Sequence, residues 1–321
     1  MTYSSGSIIE ATDYNGFVST NAGANVNDIW STGATDKGYG ETAVSTVSAS
    51  STITATQWAT LNNRISSMAS HTNTSITSRT NPTTGDTIEI LSALNTDLTN
   101  ITANRGDAAA NGSQYLTWSG TNYQSGSWSS TLTFTHTITW ASANAARWFF
   151  NAGGRIKWET NKSSTGNLGD AEWNDLANTL VGDIYITGRV NGAAQTIAGT
   201  SYTGTTKSGG TGTPNILATT TGWYQLTTSD TNLYRQYADT APYTSNYIML
   251  KAKTASSGTQ LVLTTTWVSV DGDTNSGGSA TNSPFSSFGT APCTLVSYFP
   301  PSSTYLTGAN WGTPTIAASI S

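Results

Sequence analysis

Two histidines, one cysteine and five glutamates are the scarcest residues in this chain that could do chemistry. His71 and His136 are its imidazoles, Cys293 is its thiol, and Glu10, Glu41, Glu89, Glu159 and Glu172 are its glutamates. A glycosidase needs two carboxylates facing one sugar, and no pair of these acids is marked by local spacing. A Ser/His/Asp triad would have to recruit His71 or His136. His136 alternates with Leu132, Phe134, Ile138 and Trp140, which places it on an apolar strand face, where an imidazole is a core residue before it is a base. Two histidines are too few for a His-rich zinc site. Cys293 has no second cysteine to pair with and opens an apolar run as a small buried residue.

Two further motifs bear on ion or phosphate binding. Asp271-Gly272-Asp273-Thr274-Asn275-Ser276-Gly277 resembles part of a calcium loop, with oxygen ligands at alternate positions. It lacks the closing acidic residue and the flanking helices, so the plainer reading is a hairpin turn. The glycines of GRVNGA, GTSYTG and KSGGTGTP form neither a P-loop nor a strand–GxGxxG–helix unit. The expectation is a protein with no catalytic residue, no metal and no cofactor.

The elements that would position any site are easier to read. Trp58, Leu61, Ile65 and Met68 recur at offsets of 3, 7 and 10, and Leu91, Leu94, Leu98 and Ile101 repeat the pattern. Each set is one narrow apolar stripe on an amphipathic helix. The polar linker HTNTSITSRTNPTTGD joins them. The plain expectation is a helical hairpin buried on itself or its neighbours. The alternative uses the same eight residues as a helix interface between identical subunits.

A Gly/Ser-rich stretch follows. It divides the chain into residues 1–110, a helical attachment or oligomerisation region, and residues 111–321, a β-rich domain. Thr131 to Trp140 alternates threonine with Leu132, Phe134, His136, Ile138 and Trp140, a strand with one buried and one hydroxyl face. A short helix to Gly153, a strand at RIKWET, a helix from Ala171 to Leu180 and a strand from Asp183 to Val190 come next. Further strands are expected over Gly222–Leu226, Tyr247–Lys253, Gln260–Val270 and Cys293–Phe299. The fold class is therefore α+β and mainly β: an antiparallel sheet or sandwich with two short helices, preceded by a helical hairpin region. Its core is assigned to Leu132, Phe134, Ile138, Trp140, Trp148, Phe149, Ile156, Trp158 and Trp173.

Composition narrows the function. Charged residues make up 10% of the chain, against about 25% in an ordinary soluble domain. About 60 residues are Thr and about 40 are Ser. The 13 Lys and Arg are outnumbered by 18 Asp and Glu, so a nucleic-acid partner, which demands phosphate neutralisation, is not expected. No apolar run reaches the length of a membrane span, so no membrane insertion is expected either. The opening residues have no basic and apolar leader, and synthesis in a cytoplasm without a signal peptide is the expectation. Aromatics outside the apolar stripes, namely Tyr115, Trp118, Tyr123 and Trp128, with Tyr202, Tyr243 and Trp311, fall in polar loops. They could contact a glycan or a neighbouring subunit, and the second is favoured because aromatics are enriched in interface cores.

Two groups of segments carry a resemblance. The first is IIEATDYNGFV, NDIWSTGATDKGYG and ITATQWATLNNRI; the second is HTITWASANAARWFFNAGGRIKW, AEWNDLANTL and SNYIMLKAK. Together they resemble virion structural proteins of tailed bacteriophages, of the cyanophage and marine phage type, described as tail-fibre-like. RWFFNAGG is the most specific part. The resemblance implies a particle component located in the virion and no reaction. The expectation is a tail or baseplate fibre-like homo-oligomer, a trimer, in contact with other virion proteins. The alternatives are a receptor-binding module for host surface polysaccharide and a neck or capsid-decorating protein.

Overall fold

The computed structural model describes residues 9–20, 24–86, 91–115, 130–162, 168–270, 273–275, 279–281 and 292–321. Its first third is helical. Helix α1 (Ala11–Asn15) continues as a π-turn to Thr20, α2 (Val26–Ile29) follows, and an extended stretch leads to α3 (Ala55–His71) and α4 (Leu91–Ala103). Helix α3 starts at a capping box. The Gln57 N–H donates to Thr54 Oγ1 at 3.2 Å and the Thr54 N–H donates to Gln57 Oε1 at 2.8 Å, which satisfies two of the free donors at the helix start. The polar linker after α3 is anchored by Asp97 of α4, which accepts the Thr77 N–H at 3.2 Å and pairs with Arg79.

Trp58, Leu61, Ile65, Met68, Leu94, Leu98 and Ile101 are all buried, while the side chain of Leu91 lies outside the described residues. The burial is within the chain. Trp58 packs against Tyr14 and Phe17, with ring centroids 5.6 and 6.4 Å away. These seven side chains, expected alternatively as a helix interface between subunits, sit in this chain's own core.

The β-rich part runs β1 (Thr131–Thr139), α5 (Ala143–Asn151), β2 (Arg155–Asn161), α6 (Leu168–Asp175, extended by a π-turn to Leu180), β3 (Asp183–Ile186), β4 (Gln195–Ile197), β5 (Thr200–Tyr202), β6 (Thr205–Ser208), β7 (Ile216–Leu217), β8 (Thr231–Tyr237), β9 (Tyr247–Ala255), β10 (Gln260–Val268), β11 (Asp273–Asn275), β12 (Ser279–Thr281), β13 (Cys293–Phe299) and β14 (Thr315–Ile320). A six-stranded sheet has the order β14-β1-β10-β9-β8-β7, and a four-stranded sheet the order β13-β2-β3-β6. Every pairing in both is antiparallel. The chain is mainly β, with helices first.

The sheets bury their apolar faces against each other. Trp158 of β2 donates its indole N–H to Thr265 Oγ1 of β10 at 2.8 Å and packs on Tyr234 of β8. Trp173 of α6 stacks on Trp267 of β10. Leu132, Phe134, Ile138, Trp140, Phe149, Ile156, Trp158 and Trp173 are buried, and Trp148 is half-buried against them. Each such side chain removed from water contributes about 1.5–3 kcal/mol. One continuous apolar cluster takes in both the helical segment and the sheets.

Two expected strands are different. Trp223–Gln225 is a 3-10 turn, because the Gln225 side chain accepts the Gly222 N–H at 3.0 Å and curls the backbone. Strand β3 stops at Ile186, since Arg189 and Asn191 take left-handed conformations, with φ of 51° and 59°. Among the described residues no helix is long and apolar enough to cross a membrane.

Candidate functional site

The scarce reactive groups are dispersed. His71 is wholly buried at the end of α3. Its Nε2 lies 3.2 Å from the Ala152 carbonyl and its ring meets Tyr39 edge-on. Burial lowers its pKa to about 4, with the Ala152 bond opposing. His136 is equally buried on the inner face of β1, bonded to the backbone of Thr294, and burial again lowers its pKa to about 4. Neither imidazole reaches solvent. Cys293 is half-buried, and burial raises its pKa to about 11, the opposite of an activated thiolate.

The glutamates are also apart. Glu41 is buried and accepts the Gly308 N–H at 2.7 Å and the Thr307 hydroxyl at 3.1 Å, which ties the N-terminal segment to the C-terminal one. Glu159 pairs with Lys157, Glu10 sits at the start of α1, and Glu89 lies outside the described residues. Glu172 and Asp175, one turn apart on α6, come together with Asp239, their carboxylate oxygens lying within 4.8 Å of one another. Burial raises the pKa of Glu172, which accepts the Thr240 N–H at 3.4 Å. Strand β11 packs against α6, and Asp271, Gly272, Ser276 and Gly277 of the supposed calcium loop lie outside the described residues.

The RWFFNAGG run forms a joint. Trp148 donates its indole N–H to the Thr32 carbonyl at 3.1 Å, and Arg147 reaches the carbonyls of Thr35, at 2.6 Å, and Lys37, at 3.3 Å. Asn151, buried, donates to the Gly38 carbonyl at 3.0 Å and accepts the Tyr224 hydroxyl at 2.6 Å. Phe149 and Phe150 point the other way, onto Trp140, and Phe150 stacks on Trp223. One helix thus binds the loop of residues 32–40 with its polar side and the sheet with its apolar side. Gly153, at φ 93°, ends the turn, and a Cβ there would lie 2.7 Å from Ala108. Sequence reasoning missed this docked loop, since side-chain bonds to carbonyls leave no periodic trace.

The loop aromatics divide. Tyr202, Tyr243 and Trp311 are buried and belong to the interior. Tyr115 is 48% exposed and stacks on Tyr298 with centroids 5.5 Å apart. Trp118, Tyr123 and Trp128 lie outside the described residues.

The outer face of the six-stranded sheet is its most regular surface. The register sets Ser319, Thr135, Thr264 and Lys251 in one cross-strand row; the next holds Ala317, Thr137, Val262 and Lys253, and another Thr133, Thr266 and Met249. The β14 end of these rows carries no charge. Strand β14 itself, TIAASI, is largely exposed and lies at the sheet's edge. Neither a family model nor a curated protein nor a solved structure matches the chain.

Proposed function

We propose that the chain is a structural protein of a tailed-bacteriophage particle, a tail or baseplate fibre-like component that works by assembling with copies of itself and with other virion proteins. It performs no reaction. The observation that carries this reading is the hydroxyl-rich sheet surface, uncharged toward its β14 end, where the sheet edge is open among the described residues. Hydroxyl groups hydrogen-bond across an interface without the desolvation cost of buried charge. The resemblance of the RWFFNAGG region to virion proteins supplies the particle. The buried histidines and the absence of an activated thiol are in keeping with it.

The test is quantitative mass spectrometry of particles purified from the phage that encodes the chain. Its peptides should occur at a fixed multiple of the other structural proteins, and their absence from purified particles would reject the reading. A second reading, recognition of host surface polysaccharide, is favoured by one observation, the exposed Tyr115 ring stacked on Tyr298. Binding to host envelope fractions that falls when Tyr115, Trp118 or Trp128 becomes Ala would establish it.

A further inference from the structure

The backbone of β14 is presented in a specific way. Thr133 and Ser321 exchange two backbone hydrogen bonds, N–H to carbonyl, of 2.8 and 2.9 Å. In an antiparallel ladder, pairs that exchange bonds alternate with pairs that do not. Register therefore makes Thr135–Ser319, Thr137–Ala317 and Thr139–Thr315 bonded pairs as well. Phe134–Ile320, His136–Ala318 and Ile138–Ile316 are the non-bonded pairs between them. The N–H and C=O groups of Ile316, Ala318 and Ile320 must then point away from β1, over the sheet's open edge. No bond to these groups is found among the described residues.

Open edges of this kind are usually blunted by charge, proline, a bulge or shortness. The opposite edge of the sheet follows that rule, since β7 is two residues long. Strand β14 spans six residues with no charge and no proline, and pairs with β1 without a register shift.

We propose that β14 pairs antiparallel with β14 of a second copy of this chain across a two-fold axis at Ala318, giving one sheet continuous through both subunits. The strand is self-complementary in that register. Ala318 faces its own copy, and Ile316 faces Ile320 of the partner subunit. All three outward N–H and all three outward C=O groups on each chain find partners. On the inner face Ile316 and Ile320, half-buried on the core, close against their counterparts. On the outer face Ala317 meets the partner's Ser319. Shifting the pairing by one residue would aim the bonding groups away from each other. A two-fold contact gives a dimer, and a trimer alone does not contain it.

This inference rests on the self-assembly in the proposed function, and the test separates the two. The full chain is studied by sedimentation and by disulfide formation under mild oxidation, with Cys293→Ser as background. The chain should sediment as a dimer, and Ala318→Pro should weaken association by about 100-fold. That substitution removes an outward N–H and leaves the β1 pairing intact. Ala318→Cys should cross-link to a reducible dimer, because directly bonded pairs hold their Cα atoms about 5.5 Å apart, within disulfide reach. Ile316→Cys should not cross-link to itself. A monomer at tens of micromolar, a trimer without the Ala318→Cys bond, or cross-linking by Ile316→Cys instead would overturn the inference. Should Ala318→Pro fail to fold, the cysteine pair still decides. Particles containing the chain together with no Ala318→Cys dimer would reject this pairing alone. A cross-linked dimer absent from particles would uphold the pairing and reject the particle.

Discussion

The Thr133–Ser321 pair, with its two exchanged hydrogen bonds of 2.8 and 2.9 Å, determines which side of the last strand is spent on the chain's own sheet and which is left for another. Strand β14 is ordered by β1 along one edge, and its alternate residues carry the free groups. The same logic makes the dependence on single backbone groups sharp: proline at Ile316, Ala318 or Ile320 removes an outward N–H, and proline at Thr315, Ala317 or Ser319 removes a bond of the strand to β1.

The joint between α5 and the N-terminal loop depends on close approach. Gly40 has φ 79°, and a Cβ there would lie 2.5 Å from the Trp148 ring. Gly40→Ala is expected to destabilise the chain by about 2–4 kcal/mol, from left-handed strain plus overpacking. Thermal denaturation should show a midpoint lower by about 3–6 °C. Asn151→Ala should cost about 1–3 kcal/mol by leaving the Gly38 carbonyl and the Tyr224 hydroxyl short of a partner. A melting curve unchanged in both variants would show that the loop is not held as described.

Lys162 and Asp170 form an ion pair with both side chains at 0% exposure. Burial is the leading influence on Lys162 and lowers its pKa, with Asp170 opposing. Removing one partner strands the other charge in the interior. Lys162→Met should therefore cost about 3–5 kcal/mol, and the double variant with Asp170→Leu should recover most of that. Urea denaturation of the two single variants and the double variant measures the coupling, and purely additive losses would contradict the buried pair.

The two histidines make stability depend on pH. Both have pKa values near 4 in the folded chain against 6.5 when free, so between those values the unfolded chain binds more protons. Stability is complete above pH 6.5, falls as pH drops toward 4, and levels off below. Each unit of displacement is worth about 1.4 kcal/mol, which makes the combined loss on the order of several kcal/mol. Glu172 and Asp107, whose pKa values burial raises, oppose it by favouring the fold on acidification. The urea midpoint should drop between pH 7.5 and 4.5, and His136→Gln should remove a substantial part of that drop. An equal midpoint at both pH values would sink the assignment.

Much of the fold is legible where a period is strict. Strand β1 alternates Leu132, Phe134, His136 and Ile138 with threonines, and all four are buried. Strand β8 is harder to see, because a register irregularity between Asn232 and Tyr234 breaks its alternation. Strand β14 is faint to such reading: at an edge neither face is fully covered, and its inner face, Ile316, Ala318 and Ile320, is a stripe of only three residues with an alanine at its centre. Tyr202, Tyr243 and Trp311 read as surface residues because their neighbours are polar, yet each is buried by distant segments that local pattern does not report. The candidate assembly surface was half legible, its threonine face from β1 and its open edge only from the hydrogen-bond pattern of Thr133 and Ser321.

Amide hydrogen exchange of the full chain at Ile316, Ala318 and Ile320, followed over a range of protein concentrations, tests the central claim of self-assembly most directly. The account predicts exchange that slows at all three amides as concentration rises, in step with the appearance of a species of twice the 33.6 kDa chain mass. Rapid exchange at every concentration, or protection that does not vary with concentration, would contradict it.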